Sequence, residues 1–188
     1  MRSPGVWSEL NQHELRLLLH LLDLHTGIAP ETSQDWICQV EEIALSQQGE
    51  WVVVAQSPLS VIQSLLNICA RRCNGLGDPG WRHTDLVSGD FGPHNVLLND
   101  QGQVAALFDL EGAGCGDRVI DMVGLFYMAK LELIPDVRRE VLKIATPAAL
   151  TACGVYWIVH RLYQGIRANA ENLEPIAQQM LAHVDILA

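Results

Sequence analysis

Over most of the chain the apolar positions recur at helical spacing, and the pattern changes only once, to two short runs of strand type. From Glu9 to Leu24, Leu10, Leu15, Leu18, Leu19 and Leu22 fall on one face, and Asn11 with Glu14 forms a capping pair. A buried amphipathic helix is predicted there, after an irregular lead-in from Met1 to Trp7. A loop from Gly27 to Ser33, broken by Pro30, leads to a second predicted helix from Gln34 to Gln47. Trp36, Ile37, Val40, Ile43 and Ala44 make its apolar face and Gly49 is its C-cap. Trp51 to Ala55 is a β-branched run that periodicity assigns equally to strand or helix. Ser57-Pro58 reads as the N-cap and first-turn pair of a helix that closes at Asn74-Gly75. His83 to Val87 reads as a short strand. Further on, Gly112 to Gly116 is a flexible loop, and Asp117 caps a helix from Arg118 to Leu131. Pro135 starts another helix, Pro147 a longer one reaching Asn172, and Pro175 the last. Nothing repeats at a fixed period and no segment is low in complexity.

The two strand-type runs are Val96 to Leu98 and Val104 to Phe108, separated by the turn formers Asn99-Asp100-Gln101-Gly102. They predict an antiparallel hairpin. Residues equidistant from a hairpin turn face each other, so Asn95 and Asp109 meet at the open end. Asp90 lies on the loop entering that end. Two carboxylates and an amide oxygen suit Mg²⁺ held together with substrate phosphates. Read blandly, the same residues are turn formers around an ordinary hairpin.

Other conspicuous residues carry less. Gly75-Leu76-Gly77-Asp78-Pro79-Gly80 matches G-x-G-x-x-G, but a phosphate-cradling loop follows a strand and opens a helix. This one follows a helix and contains Pro79, so it reads as a connecting turn. Cys69 and Cys73 share a helix face with no further ligand at zinc spacing, which makes them core thiols. Cys115, near the candidate site, reads as a small loop filler. Tyr156, Val159, His160 and Tyr163 share one face, which marks His160 as a core histidine.

Composition sets outer bounds. The 188 residues suit one domain, 1–188, and 49% hydrophobic content suits a sizeable core. A formal net charge of −10 argues against nucleic acid and suits a cationic small-molecule partner, although acidity also serves solubility. Five cysteines without an apolar leader point to a reducing cytoplasm. No apolar run is long enough for a membrane span.

The order Asp90, Asn95, then Asp109 after a hairpin is the kinase arrangement of catalytic Asp, metal Asn and metal Asp. Ser88-Gly89-Asp90-Phe91 through Asn95-Val96-Leu97-Leu98, then Phe108-Asp109-Leu110-Glu111 and Gly116-Asp117-Arg118-Val119-Ile120-Asp121, resembles the aminoglycoside phosphotransferase and choline kinase family. Its pattern runs His-Gly-Asp, Asn, Ile-Asp-x-Glu and Gly-Asp-Pro-x-x-Asp. Ser88 stands where the family usually has His, and Arg118 where it often has Pro. The resemblance implies phosphoryl transfer from ATP or GTP to a small-molecule hydroxyl, such as an aminoglycoside or a choline-like alcohol. It makes Asp90 the catalytic base, Asn95 and Asp109 the ligands of Mg²⁺ and the nucleotide, and Ser88 and Asp121 structural supports of the loop. Leu22-Asp23-Leu24-His25 resembles the close of an early helix of the family's C-terminal lobe, which makes His25 structural.

The expected fold is therefore α+β and mainly helical, a kinase-like C-terminal lobe with a short β-hairpin carrying the site. The segment before Asp90 reads as helices rather than as a nucleotide lobe, and both lysines, Lys130 and Lys143, follow Asp109. The N-terminal nucleotide lobe is thus expected to be absent. The alternative expectation is a truncated or degenerate relative that binds a small molecule or partner without turnover.

Overall fold

A computed structural model of the chain describes residues 11–31, 34–101, 103–129, 131–168 and 173–184. The lead-in Met1 to Trp7, Glu9 and Leu10 of the first predicted helix, Ser33, Gly102 of the hairpin turn, Lys130, and the predicted helix end at Asn172 lie outside the described residues.

Helix α1 (Gln12–Leu24) begins in the capping box expected from its sequence. The Asn11 side chain accepts from the N–H groups of His13 and Glu14, and the Glu14 carboxylate accepts from that of Asn11. Leu15, Leu18, Leu21 and Leu22 are buried. Helix α2 (Trp36–Val40) starts at Asp35, whose carboxylate accepts from the N–H groups of Ile37 and Cys38. It then widens into a π-helical turn, Glu41–Leu45, closed by Ser46 N–H donating to Glu41 O at 2.9 Å. Gly49, expected to cap this helix, instead opens α3 (Glu50–Ala55) at φ +56°. The ambiguous run Trp51 to Ala55 is therefore helical. The expected cap pair Ser57-Pro58 lies ahead of α4 (Ser60–Cys73) rather than in its first turn. The Gln63 amide holds this connection by donating to the carbonyls of Ala55 and Ser57.

Strand β1 (Asp85–Val87) pairs antiparallel with β4 (Gly114–Gly116), with Asp85 opposite Gly116 and Val87 opposite Gly114. This corrects the expectation of a flexible loop over Gly112–Gly116. Glycine is needed at 114 for space, because a Cβ there would lie 2.6 Å from Gln34 O. Strands β2 (Val96–Leu98) and β3 (Val104–Leu107) form the expected hairpin, with Val96 opposite Leu107 and a bulge at Leu97/Leu98. The glycine-patterned segment is a connection between α4 and β1, with Asp78 accepting from Gly80 N–H.

The helix expected from Arg118 to Leu131 is shorter. α5 (Val119–Gly124) gives way to 3₁₀ turns at Leu125–Tyr127 and Leu131–Leu133 before α6 (Ile134–Val141). Thr146 caps α7 (Pro147–Arg167), which ends before the expected Asn172, and α8 (Leu173–Val184) has Pro175 in its first turn. α7 is the core element, buried without interruption from Ala149 to Val159. It packs on α3, α5, α8 and the π-turn. Trp157 fixes α5 on it, donating from Nε1 to Ile120 O at 2.7 Å and lying against Gly124, where a Cβ would come within 2.9 Å of the indole. Cys69 and Cys73 are buried core thiols, their pKa values pushed up to about 12 and about 11 by burial. The architecture is α+β, mainly helical, and kinase-like, with the hairpin on one flank of the helices. Among the described residues no helix is long and apolar enough to cross a membrane.

Candidate active site

Strand β1 delivers Ser88-Gly89-Asp90 at its C-terminal end. The loop is gripped from beneath by Asp121 on α5. One carboxylate oxygen accepts from Ser88 N–H at 2.7 Å and the other from Gly89 N–H at 2.9 Å. Burial pushes the Asp121 carboxyl up to about 7; the two N–H donors work against that rise and the Asp90 carboxylate adds to it. Gly89 has φ +77°, and a Cβ on it would lie 2.0 Å from Trp36 Cζ2. Glycine is thus required there both by conformation and by the indole beneath the loop. The same indole donates from Nε1 to Gly112 O at 3.1 Å, tying α2 to the segment after Asp109. The Ser88 side chain is buried.

Asp90 itself is exposed. Its carbonyl accepts from Asn95 Nδ2 at 2.9 Å, and its Oδ2 lies 3.3 Å from His94 Nε2. A 3₁₀ turn, Pro93–Asn95, separates the loop from β2. Asn95 is buried, and its own carbonyl accepts from Phe108 N–H at 2.8 Å. Asn95 and Phe108 therefore face each other at the open end of the hairpin, with Asp109 the next residue. Asp109 is exposed and, although not glycine, has φ +54°. Left-handed backbone of this kind concentrates at functional positions.

A second network holds the other end of β1. Asp85 is fully buried and binds the Arg82 guanidinium at 3.1 and 3.2 Å, Gly27 N–H at 2.9 Å and Arg118 Nη1 at 3.5 Å. Burial works to raise its carboxyl, but the hydrogen bonds from Gly27, Arg82 and Arg118 outweigh it and hold the pKa below the ordinary value. Arg118 also reaches Asp23 of α1 at 3.5 Å. Asp117, just ahead of the Arg118 N-cap of α5, accepts from Val119 N–H and from Arg82 N–H; burial raises its pKa. His25 is buried edge-on to Phe91 with ring centroids 5.5 Å apart, and burial lowers its pKa. Its position in the packing beneath the loop is a structural one.

The sequence left three contributors unassigned to the site. Trp36 appeared only as one apolar position of a helix, although a glycine directly before Asp90 signals a close approach. His94 stands four residues after Asp90, across a Gly-Pro pair. Arg161 on α7 is lowered in pKa by burial, an effect that the Asp90 carboxylate opposes. Cys115 lies in β4 with its thiol donating to Gln34 O. His160 sits between Glu50, 2.9 Å away, and the stacked ring of Tyr156, as a satisfied packing residue.

The donor chemistry fits Mg²⁺. Asn95 commits its amide nitrogen to the Asp90 carbonyl, and among the described residues neither its Oδ1 nor the Asp109 carboxylate takes a hydrogen bond. Both are hard oxygen donors, Asn95 just before β2 and Asp109 two residues beyond the end of β3. No cluster of three or more His, Cys, Asp or Glu among the described residues could hold a metal alone.

The model of the phosphotransferase enzyme family matches residues 13–150. No curated protein matches the chain in sequence. Among solved structures, a thermostable mutant of aminoglycoside phosphotransferase APH(4)-Ia, in ternary complex with AMP-PNP and hygromycin B, is similar at a TM-score of 0.63 and 19% identity. The match covers 98% of this chain and 70% of that chain. At that identity the likeness is one of fold. The family match spans most of the chain and includes β1, the loop, the hairpin and α5: the chain belongs to the phosphotransferase enzyme family.

Proposed function

We propose that the chain moves the γ-phosphoryl group of ATP or GTP to a hydroxyl of a small molecule, an aminoglycoside or a choline-like alcohol. The observation that carries this reading is the braced loop-and-hairpin unit, in which Asn95 is bonded to the Asp90 carbonyl on one side and to Phe108 N–H on the other. The solved relative binds AMP-PNP and hygromycin B, which supports a nucleotide donor and an aminoglycoside-type acceptor. Asp90 orients the acceptor hydroxyl and takes its proton as the oxygen bonds to the γ-phosphorus; the bond from that phosphorus to the β-phosphate oxygen breaks and the nucleoside diphosphate leaves. Asn95 Oδ1 and the Asp109 carboxylate would hold Mg²⁺, which neutralises phosphate charge. Asp121 and Gly89 keep the loop in place, so that Asp90 needs little rearrangement.

A second reading is a non-catalytic relative of the family that binds a small molecule or a partner. Titration calorimetry with Mg²⁺-ATP and a phosphate-transfer assay against aminoglycosides and choline-like alcohols separate the two. Under the first reading Asp109→Ala abolishes nucleotide binding, whereas Asp90→Ala keeps binding and loses turnover. Nucleotide binding unchanged in Asp109→Ala overturns the site. Binding without transfer by the unmodified chain establishes the second reading.

A further inference from the structure

The hydrogen bond from Asn95 Nδ2 holds the Asp90 carbonyl but leaves the carboxylate half-exposed, at 54% of the side-chain surface, beside His94 at 40%. An aspartate in that setting has several staggered rotamers open to it, and only some present an oxygen to a bound hydroxyl. His94 supplies the contact that selects one, Nε2 to Oδ2 at 3.3 Å.

The residues between them are shaped for that contact. Gly92 is extended, at φ −168°, a conformation open to any residue, so the backbone does not call for glycine. The space does. A Cβ at position 92 would lie 2.7 Å from His94 Cε1, 2.9 Å from its Nδ1 and 2.8 Å from Met128 Sδ. The imidazole therefore occupies the room a side chain at 92 would fill. Pro93 then opens the 3₁₀ turn that carries the ring back over Gly92, and Asn95 N–H closes it on Gly92 O at 3.1 Å. A half-exposed ion pair or hydrogen bond adds little to stability, so fold stability alone does not account for this local shaping.

We infer that His94 is a positioning residue for the catalytic base: its imidazole, seated on the bare Cα of Gly92, holds Oδ2 of Asp90 and leaves Oδ1 for the acceptor proton. The inference rests on the phosphotransfer reading above. It adds no proton-transfer step of its own, since the proton still passes from the acceptor hydroxyl to Asp90. What it adds is a fixed carboxylate orientation before the acceptor arrives.

The test measures kcat and the nucleotide KM in the phosphate-transfer assay, with melting curves as a fold control. His94→Ala should lower kcat by roughly 10- to 100-fold, the size expected when a reacting group loses its orientation. The nucleotide KM should stay unchanged, because Asn95 and Asp109 are untouched. The melting temperature should stay within about 2 °C, as for a surface change. His94→Gln, whose amide nitrogen falls near the place of Nε2, should recover most of the rate, and His94→Asn, which matches Nδ1 instead, should not. Gly92→Ala should slow the enzyme through the displaced ring and add nothing when combined with His94→Ala. Equal kcat for His94→Ala and the unmodified chain overturns the inference alone, as does an equal loss in His94→Gln and His94→Ala. Absence of turnover by the unmodified chain with every acceptor overturns the phosphotransfer reading and this inference with it.

Discussion

Replacing Asp121 by Asn tests how the loop is held, because the change removes the charge and keeps the size. Asp121 accepts two buried N–H bonds, at 2.7 Å from Ser88 and 2.9 Å from Gly89. An Asn keeps one acceptor oxygen and turns an NH₂ group toward the other N–H. Leaving one buried donor unsatisfied costs about 1–3 kcal/mol, and two donors now face each other. A loss near the top of that range is expected at pH 4.5, where the protonated carboxyl still accepts through both oxygens and an amide nitrogen does not. The pH dependence is more specific. The Asp121 carboxyl titrates at about 7 in the fold against an ordinary 3.8. Between those values the folded state keeps a proton that the unfolded state has lost, so Asp121 contributes a stability that falls as pH rises and levels off above pH 7. Its steepest slope is about 1.4 kcal/mol per pH unit. Asp117, also raised, acts with the same sign. Asp85 and His25, both lowered, act with the opposite sign. Only the difference between unmodified chain and variant isolates Asp121. Urea unfolding of both from pH 4.5 to 8 measures it: the gap between them should narrow steadily toward pH 7 and then stay constant. Parallel curves across that range would refute a proton on Asp121 in the fold.

Three further outcomes follow from the packing and the caps. Gly89→Ala forces a side chain into left-handed backbone and onto the Trp36 indole, and should cost about 2–4 kcal/mol in denaturant unfolding, with Trp36 fluorescence altered in the native state. Thr146→Ala removes the N-cap of α7 and the hydroxyl donated to Pro79 O, so a loss of about 1–2 kcal/mol is expected by thermal unfolding. Asp85→Ala strips Arg118 and Gly27 of their buried acceptor, and about 3–5 kcal/mol should be lost in urea titration; Arg118→Met, which leaves Asp85 bonded to Arg82 and Gly27, should cost clearly less.

Elements whose cause is local were readable in advance. The α1 capping box and the hairpin both announce themselves, the second through two short apolar runs around an Asn-Asp turn whose Asn99 accepts from Gln101 and Gln103. Elements made by distant partners were not. Gly114-Cys115-Gly116 has no strand propensity and is a strand because Asp85–Val87 lies alongside. The π-turn at Glu41–Leu45 and the role of Gly49 as a helix opener depend on how α2 and α3 pack on α7. The same division runs through the candidate site. Asp90, Asn95 and Asp109 stand out by spacing and Asp121 through the family pattern the sequence resembles, whereas Trp36 and His94 matter through what they touch. Neither a half-exposed histidine nor a helix tryptophan carries a spacing that marks it.

The Asp121 bracket also bears on the order in which the chain assembles. The hairpin of β2 and β3 closes a short local turn, at small entropic cost, and needs nothing beyond its own neighbourhood to form. The grip on the loop joins residues 33 apart, from Ser88 to Asp121, and the β1–β4 pairing encloses the same stretch. Those contacts come only after the intervening chain has been gathered in, a non-local closure that slows folding. The hairpin end, with Asn95 opposite Phe108, can therefore be in place before the loop that carries Asp90 is locked. In refolding, the hairpin end that carries Asn95 and Asp109 is expected to form ahead of the Ser88–Asp90 loop.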